Sequence, residues 1–174
     1  MPGDTVKAAE AYRAAMFKLA GDGDPSDALL AAPSELRRLV ESAGADLRRR
    51  PAVGEWSVIE LVGHMLDVEL VLGNRMRDIL AHDGAPLAAF DQDRWVAAQR
   101  YADADPAPLL AAIEGLRPVT VALYRGASDR ERAHVGQHSE RGPESFETVY
   151  RLLAGHDRFH MDQISTTLAT VRGS

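Results

Sequence analysis

Gly155-His156-Asp157-Arg158-Phe159-His160-Met161-Asp162-Gln163-Ile164, near the C-terminal end of the chain, decides how the rest is read. Two histidines stand four positions apart inside a long segment whose apolar residues recur at helical spacing. On an α-helix such residues lie one above the other, with Cβ atoms roughly 5–6 Å apart. Two imidazoles at that separation can converge on one ion, since each metal–nitrogen bond spans about 2 Å. At about 100° per residue, Val149, Leu152, Leu153, His160, Ile164 and Thr167 all fall within about 80° of His156. The pair therefore faces a core. A buried polar group without a partner costs on the order of 1–3 kcal/mol, so these histidines need one. Two readings stand at this point: core histidines bonded to backbone or hydroxyl groups, or part of a metal site.

The complement lies upstream, in Glu55-Trp56-Ser57-Val58-Ile59-Glu60-Leu61-Val62-Gly63-His64-Met65-Leu66-Asp67-Val68-Glu69. Ser57 and Glu60 make a Ser-x-x-Glu capping box, which predicts a helix from Ser57 to the His82-Asp83-Gly84 stop. On it His64 shares a stripe with Leu61, Val68, Val71, Leu72 and Ile79, so it also faces the core. His64, His156 and His160 form a three-histidine candidate. Three neutral nitrogens from two helices, with water completing the shell, is the pattern of a catalytic divalent site, not a structural one. Asp67, one turn after His64, and Gln163, on the face of the other two, are candidates to orient ligands from behind. The chain has no cysteine, so disulfides and thiolate ligands are excluded. Imidazole-only ligation suits nickel, zinc, copper or ferrous iron. Because the ligands must be neutral, spacing alone predicts affinity that falls as pH drops through the histidine range near about 6.5.

The remaining sequence predicts helices and their breaks. Residues 6–20 read as a short helix ended by Gly21-Asp22-Gly23-Asp24-Pro25, and a run from Ser26 is restarted by Pro33 or Ser34 and reaches Ala43. The segment 83–105 reads as an irregular crossing connection, pinned by Phe90 and Trp95. Asp105 and Pro106 suit the N-cap and N1 of a helix to Arg125-Gly126, kinked by Pro118. Ser128-x-x-Glu131 opens a brief helix, 135–143 is a loop, and the last helix runs from Glu144 or Ser145 to Val171. Four amphipathic helices bury their stripes most simply as an all-α four-helix bundle with essentially no sheet. The expected division is 1–24 as an N-terminal extension and 25–174 as the bundle. His82 reads as structural, His134 and His138 as surface residues in preference to substrate contacts at the site mouth, Trp56 as a hydrophobic staple, and Arg75 as a side chain reaching for the bundle end in preference to binding an anionic substrate.

A net charge of −6 argues against general nucleic-acid binding, which phosphate contacts dominate. No run of about 18 apolar residues occurs, and the start lacks a basic-then-apolar signal, so a soluble cytoplasmic protein is expected.

Gly54-Glu55-Trp56-Ser57-x-x-Glu60-x-x-x-His64-x-x-Asp67-x-Glu69, followed by Gly155-His156-Asp157-x-x-His160-x-x-Gln163-Ile164, resembles the DinB/YfiT-like family of damage-inducible four-helix-bundle proteins. The likeness runs from about residue 25 to the end. It implies an up-down-down-up bundle holding one divalent ion, nickel, zinc or iron, on His64, His156 and His160. It also implies a metal-dependent S-transferase that joins a low-molecular-weight thiol, bacillithiol or mycothiol, to a small electrophile. The alternatives it leaves are a metal-dependent hydrolase and a non-catalytic metal-binding stress-response bundle. The expected partners are a small-molecule substrate and a second copy in a homodimer, with no nucleic acid and no membrane.

Overall fold

Capping chemistry sets the helix starts. The Glu60 carboxylate accepts from the Ser57 backbone N–H at 2.9 Å and from its hydroxyl at 2.6 Å, and a 24-residue helix begins at the next residue. The computed structural model describes residues 2–173, with side chains from Lys7 onward. Its helices are α1 (Pro2–Ala20), α2 (Ser26–Ala43), α3 (Val58–Ala81), α4 (Gln92–Ala98), α5 (Pro106–Gly126), α6 (Asp129–Arg132) and α7 (Phe146–Arg172). Asp105 caps α5 through the Ala107 N–H, Ser145 caps α7 through the Thr148 N–H, and Ser128 with Glu131 closes the box on α6.

α2, α3, α5 and α7 form the four-helix bundle, α2 and α3 each packing on α5 and α7. Two apolar clusters give the directions. One gathers Leu29, Val68, Leu72, Val121, Tyr124 and Leu152, and the other Leu36, Val40, Leu61, Ile113, Met161 and Ile164. Chain order runs from the first cluster to the second along α2 and α7, and from the second to the first along α3 and α5. The bundle is therefore up-down-down-up, with α3 and α5 parallel, as the resemblance implied. Between the clusters lies a polar layer: His64 and Glu69 from α3, Arg117 from α5, and His156, Asp157 and His160 from α7, all buried.

That layer is tied by ions. The Arg117 guanidinium meets Asp157 at 2.6 Å and 3.3 Å and Glu69 at 3.0 Å, and Thr120 donates to Glu69 at 2.7 Å. α1 lies along α7, where a Cβ at Gly155 would stand 2.1 Å from the Met16 carbonyl oxygen; only glycine admits the crossing. α5 is long and apolar enough to cross a membrane by length and composition, yet it packs on α2 and α3 and carries the buried Arg117.

The structure departs from the sequence reading at three places. α2 runs unbroken through Pro33, because Leu29, Ala32, Leu36 and Val40 are buried on both sides of it and their packing outweighs one absent N–H. The connection 83–105 is not irregular throughout: it holds strand β1 (Pro86–Leu87), α4, and a short 3₁₀ turn at Tyr101–Asp103. Residues 135–143 are not a loop. β2 (Val135–His138) pairs parallel to β1 and antiparallel to β3 (Gly142–Ser145), a small sheet where none was expected.

Arg117→Ala leaves two buried carboxylates without their counter-charge, and should cost about 3–5 kcal/mol of stability. Arg37→Ala removes an exposed, solvent-screened pair with Glu114 and should leave the unfolding midpoint close to that of the wild type. Urea unfolding of the two variants checks the contrast.

Candidate metal centre

His64 is placed by the capping box that fixes the start of α3, and His156 and His160 by successive turns of α7. The three are 1%, 5% and 6% exposed, and one nitrogen from each lies within 4.8 Å of the others. His64 Nε2 and His156 Nε2 are 3.1 Å apart. Two nitrogens held by one ion at about 2.1 Å each, at roughly a right angle, stand about 3 Å apart, so the spacing fits shared ligation. Neither ring bonds to a backbone carbonyl or a hydroxyl, as a purely structural pair requires; both Nδ1 atoms are buried without a partner among the described residues. His160 differs. Its Nδ1 lies 2.8 Å from Gln163 Oε1, an acceptor, which puts the ring proton on Nδ1 and leaves Nε2 free for a ligand.

Burial sets the electrostatics. It drives the His64 imidazole down to about 3 and His160 to about 4, and holds His156 well below the ordinary value with help from its two neighbours. The cluster is thus three neutral imidazoles at neutral pH, the form a metal requires. The pH at which protons displace an ion moves below the histidine range that spacing alone predicts. Around the layer, burial pushes the Glu69 and Asp157 carboxyls up, and the Arg117 guanidinium pulls them back.

The other expected residues divide. Gln163 meets His160 as described. Asp67 reaches no histidine: its Oδ1 accepts from Tyr101 Oη at 2.7 Å and Gln99 Nε2 at 2.9 Å, fastening the chain after α4 onto α3. The Tyr101 ring lies flat on α3 because residue 63 is glycine; a Cβ there would sit 2.2 Å from the ring. Trp56 does more than staple, its ring lying 4.9 Å from that of His64. His82 is exposed just past the end of α3 and His134 is half-buried; neither joins the cluster. His138 is not a surface residue but 4% exposed on β2, and Arg75, also 4% exposed, does not reach solvent but donates to the Ala88 carbonyl oxygen.

Both line a cleft of about 260 Å³ whose wall includes His64 and His156. A second hollow, of about 230 Å³, opens at His160, Trp56 and Gln163. Sequence reasoning missed Arg117, although it occupies a place in the stripe Leu110, Ile113, Arg117, Val121, Tyr124, where a charge signals a buried acidic partner. His138 carried no such signal, because strand pairing across some fifty residues buries it.

A family model described as the DinB superfamily matches residues 28–164. A protein of Oceanobacillus iheyensis, named as a proposed metal-dependent hydrolase, is 26% identical over 121 residues, spanning 70% of this chain and 69% of that one. Among solved structures, YfiT from Bacillus subtilis is similar with a TM-score of 0.79 at 22% identity, over 88% of this chain and 90% of that one. YfiT is described as a probable metal-dependent hydrolase with an unusual four-helix bundle topology.

The depressed histidines carry a signed consequence for the metal-free chain. The folded state keeps His160 neutral down to about pH 4, whereas the unfolded chain takes up that proton below about 6.5. Between those values the unfolded state binds more protons, so this group lowers stability as pH falls and has no effect above about pH 6.5. His160→Leu removes the term and leaves Glu69 and Asp157 in place. Its stability relative to wild type, from urea midpoints, should therefore rise between pH 7 and pH 5.

Proposed function

The chain belongs to the DinB superfamily, and on that premise we propose that it is a metal-dependent enzyme joining a low-molecular-weight thiol to a small electrophile. The observation that carries the reading is the cluster of three neutral imidazoles, two of them in the wall of a cleft, with no carboxylate in that cluster among the described residues. His64, His156 and His160 would hold the ion, nickel, zinc or iron. Bound there, it would supply an acidifying centre that keeps a thiol or a water deprotonated near neutral pH.

The chain's own residues do the rest. Gln163 fixes the His160 ring with Nε2 unprotonated, and Trp56 backs His64. Val68, Leu72 and Leu152 make an apolar lining that excludes water from the reacting groups. The chain has no cysteine, so the sulfur comes from the small thiol, of bacillithiol or mycothiol type. Its sulfur bonds to the electrophilic carbon, the leaving group departs with its electron pair, and the thiol proton passes to solvent.

A second reading, a hydrolase with water in place of the thiol, is favoured by the descriptions of YfiT and the Oceanobacillus protein. Turnover separates the two. The transferase reading expects conjugation of an electrophile such as monochlorobimane to require bacillithiol or mycothiol; ester cleavage without any thiol points to the hydrolase.

The site assignment is checked by metal analysis after identical preparation. His64→Ala, His156→Ala and His160→Ala should each lower metal affinity by at least about tenfold. His82→Ala and His134→Ala should retain the wild-type content. Equal metal in wild type and His160→Ala would remove both the site and the chemistry built on it.

A further inference from the structure

α3 presents His64, Val68, Leu72 and Arg75 at successive turns, and all four line the same cleft. The sequence of chemistries along this floor is a ligand group, an apolar stretch, then a cation. Arg75 is buried, and among the described residues no carboxylate lies within ion-pair distance of it. Its hydrogen bond goes from Nη2 to the Ala88 carbonyl oxygen at 2.5 Å. A buried guanidinium with only a neutral partner is costly unless an anion joins it. Desolvation already pulls it down to about 10.

The opposite wall is built to the same end. His138 Nδ1 accepts from the backbone N–H groups of Glu140 and Arg141, at 3.1 Å each. With Nδ1 an acceptor, the proton of the neutral ring sits on Nε2, and this buried N–H has no partner among the described residues. Arg141 is committed to Glu144 through Nε at 2.6 Å and Nη2 at 3.0 Å, so that pair is neutral. Glu140 is exposed at the rim, and Tyr12 of α1 also lines this part of the cleft. Glu144 also acts on Arg75, from beyond ion-pair distance, and Arg75, Arg141 and Glu144 together carry one surplus positive charge.

We propose that the end of the cleft at Arg75 and His138 is a carboxylate subsite, and that the substrate carries a carboxylate joined by a short apolar stretch to its reacting group. The proposal rests on the metal-dependent reading of the three histidines. One surplus positive charge matches a monoanion, whereas a phosphate dianion would leave a buried negative charge unmatched. A guanidinium beside an imidazole N–H supplies the charge-assisted bonds a carboxylate accepts. Eleven residues of helix advance about 16 Å, a length that a metal–sulfur bond, an extended five-methylene chain and a carboxylate–guanidinium hydrogen bond nearly span together.

Zinc-loaded protein is titrated calorimetrically with 6-mercaptohexanoate and with 6-mercaptohexan-1-ol, which differ only in the far end. The acid should bind at least about tenfold more tightly, and Arg75→Gln should abolish that preference at unchanged zinc content. Equal affinities for acid and alcohol in the wild type overturn the subsite, whether or not the variant folds. An Arg75→Gln protein that keeps the preference overturns it equally. Should the wild type hold no zinc, the three-histidine reading falls by itself. Hexanoate against hexan-1-ol on that same protein then decides the subsite: no preference overturns it, and a preference lost in Arg75→Gln supports it.

Discussion

Arg117 crosses the middle of the bundle with its guanidinium between Glu69 of α3 and Asp157 of α7. Three helices from distant parts of the chain are fixed to one another at a single level by this contact. Buried ion pairs add little net stability, because desolvation offsets most of the attraction. What they do well is penalise every arrangement in which the charges miss one another. Slipping α7 by one turn against α5 would strand Asp157 in apolar surroundings and move His156 and His160 away from His64. The histidine cluster, the cleft beside it and the parallel course of α3 and α5 all depend on that register.

The price of a charged layer is a divided core, and the division is orderly. Apolar residues fill the bundle on both sides of the layer, Leu29 and Val121 in one cluster and Leu36 and Ile113 in the other. At the layer, small residues let foreign groups approach. Gly63 stands before His64 and takes the Tyr101 ring, and Gly155 stands before His156 and takes the backbone of α1. Two of the three histidines are thus each preceded by a residue whose missing side chain makes room for a clamp.

How far the sequence reveals this depends on the range of the forces involved. Helix starts at Ser57, Asp105 and Ser128 are legible because their caps are closed by residues two or three positions away. The stripe that carries His64 and the i,i+4 pair on α7 are legible for the same reason, and they locate the candidate site. What escapes is long-range. The place of Arg117 in an apolar stripe shows that it needs an acidic partner, but not that Glu69 and Asp157 on two other helices supply it. The strand Val135–His138 contains a glycine and a glutamine and has no alternating pattern to announce it; its partner, Pro86–Leu87, is two residues long. Pro33 misleads in the other direction, since a strong local breaker yields to tertiary packing on both sides of it.

With both carboxylates ionised, Glu69, Asp157 and Arg117 leave one negative charge in surplus within the layer that also holds three neutral imidazoles. By mass action, an ion that binds the folded layer and not the unfolded chain shifts the folding equilibrium with its own concentration. At a hundred times its dissociation constant the gain is about 2.7 kcal/mol, a sizeable part of the stability of an ordinary domain. For a chain that holds an ion in this layer, the fraction surviving proteolysis in a cell would rise with the supply of free metal, and abundance would follow metal availability.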